Sequence, residues 1–325
     1  MGSTIPFQIP EQFVGRGLVR VGALLKDPIT GQIVSHLQET GVARQVLHGA
    51  GALPFSPLEA LSTVSSGAAN LQLMQLKRMV ESLQMLQFVN LGATAAGIGV
   101  SAIGFALMNK KLNGLRDQVS SLGAEIRTQF DELRDRDLRT HYSHIDGIFD
   151  QAEQAHALSN PSSEWMRLSS AMADESAYFR GEIRHLLQET AFHPELFGAI
   201  THSYSLCNSG RIECLMRSNQ LPAARKVAQD VASDYSELFD QLNPIGLVRK
   251  VMASQPPQQD QNVQDLQAAL EPMKALVSNI REVQDAANSQ PYLLDTLIAS
   301  DIHGFEYMER LRDEKEEPIL LLLAS

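Results

Sequence analysis

"LGATAAGIGVSAIGFALMNKK", Leu91 to Lys111, is the stretch on which the reading of this chain turns. It carries no charge until it meets two lysines, and it sits in a long neutral window. Residues 82–109 contain no charged side chain, 28 in succession. Leu91 to Met108 is nearly all apolar or small, long enough for the roughly 20 residues that cross a bilayer core of about 30 Å. Lys110 and Lys111 follow at once, with Arg116 nearby, as cationic flanks follow a spanning helix. Gly92 and Ala96, Ala93 and Gly97, and Gly97 and Ser101 are small residues four apart, a spacing that lets two helix backbones approach closely in lipid.

Two readings of this run stand side by side. In one it enters a membrane through Leu91, Gly92, Gly97, Ile98, Gly99, Val100, Ile103, Gly104, Phe105 and Leu107, and Lys110 and Lys111 stop at the headgroups. In the other it is a buried helix of a soluble protein, where small residues serve close packing equally well. Gln84, Gln87 and Asn90 dilute its N-terminal side. It is the one such stretch in the chain, which excludes a multi-pass transporter.

The run is flanked by heptad-like spacing. Leu76, Met79, Leu83 and Leu86, continuing to Asn90, step 3-4-3-4, the interval of a coiled-coil seam. Beyond the run Leu112, Leu115, Val119, Leu122 and Ile126 resume it. The two registers differ by one position, which requires a change of winding or a break between them. Either one helix spans about 70–140, on the order of 100 Å at 1.5 Å per residue, or the chain turns back among Gly92, Gly97, Gly99 and Gly104. Both seams are expected to serve an oligomer.

Charge separates the two halves. Residues 1–139 hold 13 basic against 11 acidic side chains, and residues 140–325 hold 14 against 27. A strongly acidic C-terminal half excludes nucleic acid as its ligand, because phosphates and carboxylates repel. The near-neutral half that carries the apolar run suits an anionic membrane surface better. Aromatic residues make up only 6% of the chain, and cores of Leu, Ala, Met and Val favour helices.

The N-terminal part is different. "GLVRVGALLKDPITGQIVSHLQETG" alternates around the turn residues Asp27, Pro28 and Gly31, and predicts strands at 17–25 and 32–38. So small a hairpin must pack on something or pair with another chain. After a Gly/Pro-punctuated connector, helix begins near Ser56 with Pro57 at its first turn.

From 141 onward the pattern is helix after helix. One covers 141–158 and ends before Asn160-Pro161. Others begin at Ser162 or Ser163, at Pro194 and at Pro222. "MASQPPQQDQN" (252–262) reads as a polar linker. Two more helices are expected at 263–288 and 291–315. The terminal "ILLLL" is too short to span a bilayer and should dock in a core groove or on a partner.

No catalytic, cofactor or metal set emerges. His141 and His144 in "HYSH" share a helix face with Asp137 and Asp146 nearby, but no spacing fixes a third ligand, and a solvated face is expected. Cys207 and Cys214, seven apart on one helix, would lie about 10 Å apart, too far for a disulfide. Cys207 and His202 fall on different faces, so a buried structural cysteine is expected. No P-loop, GxGxxG or GxSxG motif is present. "EIRTQFDELRDRDLR" (125–139) reads as an exposed, internally paired helix. The opening "MGSTIPFQIPEQF" lacks the regions of a secretory signal, and Pro6 stands where a myristoylation pattern wants Ser or Thr.

The glycine- and alanine-rich run between two seams, attached to a helical remainder, resembles the α-helical pore-forming toxins and related membrane-acting helical effectors. The resemblance covers roughly residues 70–140 and is architectural. It implies a soluble helical body and one segment that leaves the body to enter lipid. The family's best-known members are exported and no export signal is read here, a departure that sets beside a bacterial toxin a second reading, an intracellular bacterial effector, for instance one acting at the inner membrane in phage defence.

The expected architecture is mainly α. Long coiled-coil-like helices join a small N-terminal β-hairpin region (1–55) to an acidic helical bundle (141–325), with the apolar segment at 86–109 inside the long region (56–140). The expected function is non-enzymatic: a cytoplasmic protein, peripheral to or inserted in the inner membrane, whose partners are lipid and further copies of itself. The alternative is a soluble scaffold that binds a partner protein through its coiled coil and hairpin.

Overall fold

A computed structural model describes residues 5–9, 17–21, 23–40, 108, 112–120, 132–190, 192–253, 263–317 and 319–324. Among the described residues, seven labelled helices follow the N-terminal strands: α1 Glu132–Ala155, α2 Ser162–Gln188, α3 Pro194–Arg217, α4 Leu221–Phe239, α5 Pro244–Ala253, α6 Val263–Ala299 and α7 Gly304–Asp313. Residues 112–120 are helical as well. The molecule is mainly helical, with one small antiparallel sheet.

α3 organises the bundle. Apolar or small residues occur all around it, and a helix of that kind belongs in the interior. Its buried side chains run from Leu196 to Arg217 on every face, and it packs against α2, α4, α6 and α7. Gly210 allows the closest approach. A Cβ there would lie 2.5 Å from Met172 Sδ on α2 and 3.4 Å from Phe149 on α1. α2 presents Trp165, Leu168, Met172, Phe179, Ile183 and Leu186 to the core, a 3-4-7-4-3 spacing that keeps one face inward.

The helix starts at Ser162, Pro194 and Leu221-Pro222 agree with the sequence pattern, because Pro fits the first turn. The last two helices need correction. Pro291 does not begin a helix; α6 runs through both Pro272 and Pro291 to Ala299. The break comes at Asp301, which has a φ of 52°. There Ile302 N–H donates to Leu297 O at 2.9 Å and Asp301 N–H to Ile298 O at 3.2 Å, the Schellman pattern. α3 ends in the same way at Asn219, with a φ of 56°. The polar linker begins after Ala253, and residues 254–262 lie outside the described residues.

The strands are β1 Phe7–Gln8, β2 Val19–Val21, β3 Leu24–Lys26, β4 Ile33–Glu39 and β5 Ile319–Leu323, in the spatial order β1-β5-β4-β3-β2. The predicted hairpin is present. Asp27 Oδ1 accepts the N–H groups of Ile29 and Thr30, both at 2.8 Å, and Gly31 takes a φ of 70°. Those two donors hold the Asp27 carboxyl below its ordinary range. The first predicted strand, however, is two: Val21 and Leu24 pair with each other across a two-residue link.

The terminal "ILLLL" does not fill a helical groove. It forms β5, a central strand between β1 and β4, with Leu322 opposite His36 and Leu321 opposite Leu37. Residues opposite each other share a sheet face. Leu320 and Leu322 join the bundle core, while Ile319, Leu321, Leu25 and Leu37 are buried on the other face. His36 fastens the sheet to α6 through a 3.0 Å bond between its Nε2 and Thr296 Oγ1.

Candidate functional site

The residues that sequence reasoning assigned to membrane entry, Leu91 to Lys111, lie outside the described residues with the single exception of Met108. So do Leu76, Met79, Leu83, Leu86, Leu122 and Ile126. No helix among the described residues is long and apolar enough to cross a membrane.

What the structure places is the far end of the run. Met108, Leu112 and Val119 are 3%, 1% and 3% exposed. They belong to the bundle's own core, with Leu115 packed against it. Within the described helix 112–120, the 3-4 spacing of Leu112, Leu115 and Val119 puts these three on one face. On another side of the same turn Arg116 Nη1 approaches Asp146 Oδ2 of α1 at 3.9 Å. The described part of the second seam therefore meets its own chain, next to α1.

α1 is in turn held to α2 by a polar clasp. Glu175, only 3% exposed, receives His141 Nδ1–H at 2.8 Å on one carboxylate oxygen and His144 Nδ1–H at 2.6 Å on the other. Tyr178 stacks on His141 with ring centroids 3.4 Å apart. The next residue, Tyr142, donates to Ser203 Oγ of α3 at 2.7 Å, and that hydroxyl donates to Ala199 O. A buried carboxylate needs such donors. The expected solvated histidine face keeps His144 exposed, with His141 part-buried, and both rings tie α1 to α2 through Glu175. Spacing could name the two histidines but not Glu175, which is 31 residues beyond His144. Among the described residues no group of three His, Cys, Asp or Glu is arranged to hold a metal ion.

Cys207 and Cys214 are free and buried. Burial pushes both thiols well above their ordinary range, so at neutral pH they remain protonated. A buried ion network ties α3 to α7. Arg217 bonds Glu213 at 2.8 Å and Glu309 at 3.2 Å, and its guanidinium lies 5.5 Å from the centre of the Trp165 ring.

No protein-family model, curated protein or solved structure matches this chain.

Proposed function

We propose that this protein is a non-enzymatic helical effector that associates with a membrane through residues 86–109 and oligomerises there, permeabilising the bilayer. The observation that carries the reading is the charge-free run of 28 residues ending at Lys110-Lys111. Leu91 to Leu107 would meet lipid, and the lysines would remain at the headgroups. The acidic body, repelled by anionic lipid, would stand off the surface. Burial of Met108 and Leu112 in that body supports the reading, because it ties the run to the folded unit at the place where the run ends. A cytoplasmic protein acting at the inner membrane, as a toxin or a phage-defence effector, fits this arrangement.

The same burial also favours a second reading, a soluble scaffold whose run stays packed on the bundle and whose coiled coil binds a partner protein. Flotation and dye release with the full chain and anionic vesicles separate the two. Under the first reading the protein floats and releases dye, and Gly97→Glu and Ile98→Asp abolish both effects while the body's thermal unfolding is unchanged. A monodisperse protein that ignores vesicles, or variants that retain full activity, would overturn it.

A further inference from the structure

α2, α3 and α4 line a cleft of about 400 Å³, within the range of small-molecule sites. Its polar lining comprises Ser176 and Arg180 of α2, Asn208 and Arg211 of α3, and Asp230, Ser233 and Asp234 of α4. Three of the four charges are already engaged. Arg180 Nη1 donates to Asp234 Oδ2 at 2.6 Å, and the Tyr204 hydroxyl donates to the same oxygen at 3.3 Å. Asp230 accepts from Lys226.

Arg211 is the exception. Its Nε is buried with no hydrogen-bond partner among the described residues, and no described carboxylate lies within ion-pair distance of its guanidinium. Asp230 and Asp174 attract it only at longer range, and partial burial strips it of water. An arginine cannot escape this cost by losing its proton, so a half-buried guanidinium calls for an anion. The chain meets that demand elsewhere on the same helix. Arg217, six residues on, has both Glu213 and Glu309.

We propose that this cleft is a small-molecule binding site in which Arg211 takes the carboxylate of an α-amino acid or a close analogue. The guanidinium fork matches a planar carboxylate with two parallel bonds. The two aspartates of α4 select against a second negative charge, which disfavours phosphate, and Asp230, held among the described residues only by the exposed Lys226, can exchange that partner for the ligand's ammonium group. The formal charge of the lining sums to zero with its charges of opposite sign separated, which suits a neutral zwitterion better than a net anion. The volume accommodates a single metabolite and not a polymer.

The test is thermal unfolding and titration calorimetry of the full chain with each of the common amino acids, with acetate and with inorganic phosphate, at constant ionic strength. At least one amino acid is expected to raise the melting temperature saturably at millimolar concentration. Acetate should act more weakly, and phosphate should act no better than chloride. Arg211→Gln should weaken binding tenfold or more and Arg211→Lys should weaken it less, while Arg249→Gln, at an exposed arginine of α5, should leave it unchanged. The proposal fails if no carboxylate exceeds the chloride control, if phosphate alone acts, or if Arg211→Gln responds as the parent does.

Discussion

His36 lies 1% exposed between the sheet and α6, and burial pushes its imidazole down from 6.5 to about 4. The unfolded chain takes up that proton near 6.5, and the folded chain only near 4. Between those values the unfolded state binds more protons, so stability is fully present above 6.5 and is lost as pH falls toward 4. At about 1.4 kcal/mol per pH unit this one group accounts for up to roughly 3 kcal/mol. Urea unfolding between pH 4.5 and 7.5 should therefore show a shallower pH slope for His36→Gln than for the parent. Equal slopes would remove His36 from the account.

Asn219 does two things at once. It takes the left-handed conformation that closes α3, and its Oδ1 accepts Gly304 N–H at 2.9 Å, fixing the start of α7. Gly304 is required there because a Cβ would come within 2.4 Å of Met216 O. Asn219→Gly keeps the backbone conformation and loses the bond, at about 1 kcal/mol. Asn219→Ala loses both, adding roughly 1–2 kcal/mol for a left-handed alanine. Denaturant midpoints should fall in the order parent, Gly, Ala.

Among the elements, β5 has the largest consequence, since it is central to the sheet and buries both of its faces. Leu321→Asp places a carboxylate where no water reaches, and it should cost several kcal/mol. Limited proteolysis should then cut the N-terminal strands, while α2 to α4 stay protected. Intact protection of residues 17–40 would mean that the sheet does not depend on β5.

This strand also marks where sequence reading stops. "ILLLL" has no alternation because both faces are covered, and a uniform apolar run gives no period to read. Helix starts at Pro194 and Pro222 were legible, since proline at a first turn is a local rule. The end of α6 was not legible. Pro291 is the stronger local signal, yet packing against α4 carries the helix past it, and an Asp supplies the left-handed residue that glycine usually provides. In the candidate site the histidine pair was legible and its buried carboxylate was not, because a contact between helices leaves no trace in spacing. Arg211 escaped notice for the same reason: one arginine in a helical sequence does not show that it lacks a partner.

At the scale of the whole molecule, an acidic helical half follows a long neutral run in the sequence, and Met108 and Leu112, on either side of Lys110-Lys111, are both buried. That junction can be tested directly. Leu112→Asp should detach residues 112–120 from α1, increase proteolysis there, and raise vesicle binding severalfold under the membrane reading. The helical content of the body should remain. Reduced vesicle binding with an intact body would mean that the docked segment is itself part of the lipid-binding form.

Thr40 donates its hydroxyl proton to Glu317 O, a bond that joins residues 277 positions apart and ends the seam along which β4 meets β5. During translation β4 emerges long before the strand it must pair with. The sheet can close only after the bundle, and the neutral run before it, have left the ribosome. A nascent chain of this protein therefore waits with an open β-edge for most of its synthesis, and truncated products that lack β5 should be chaperone clients or aggregate.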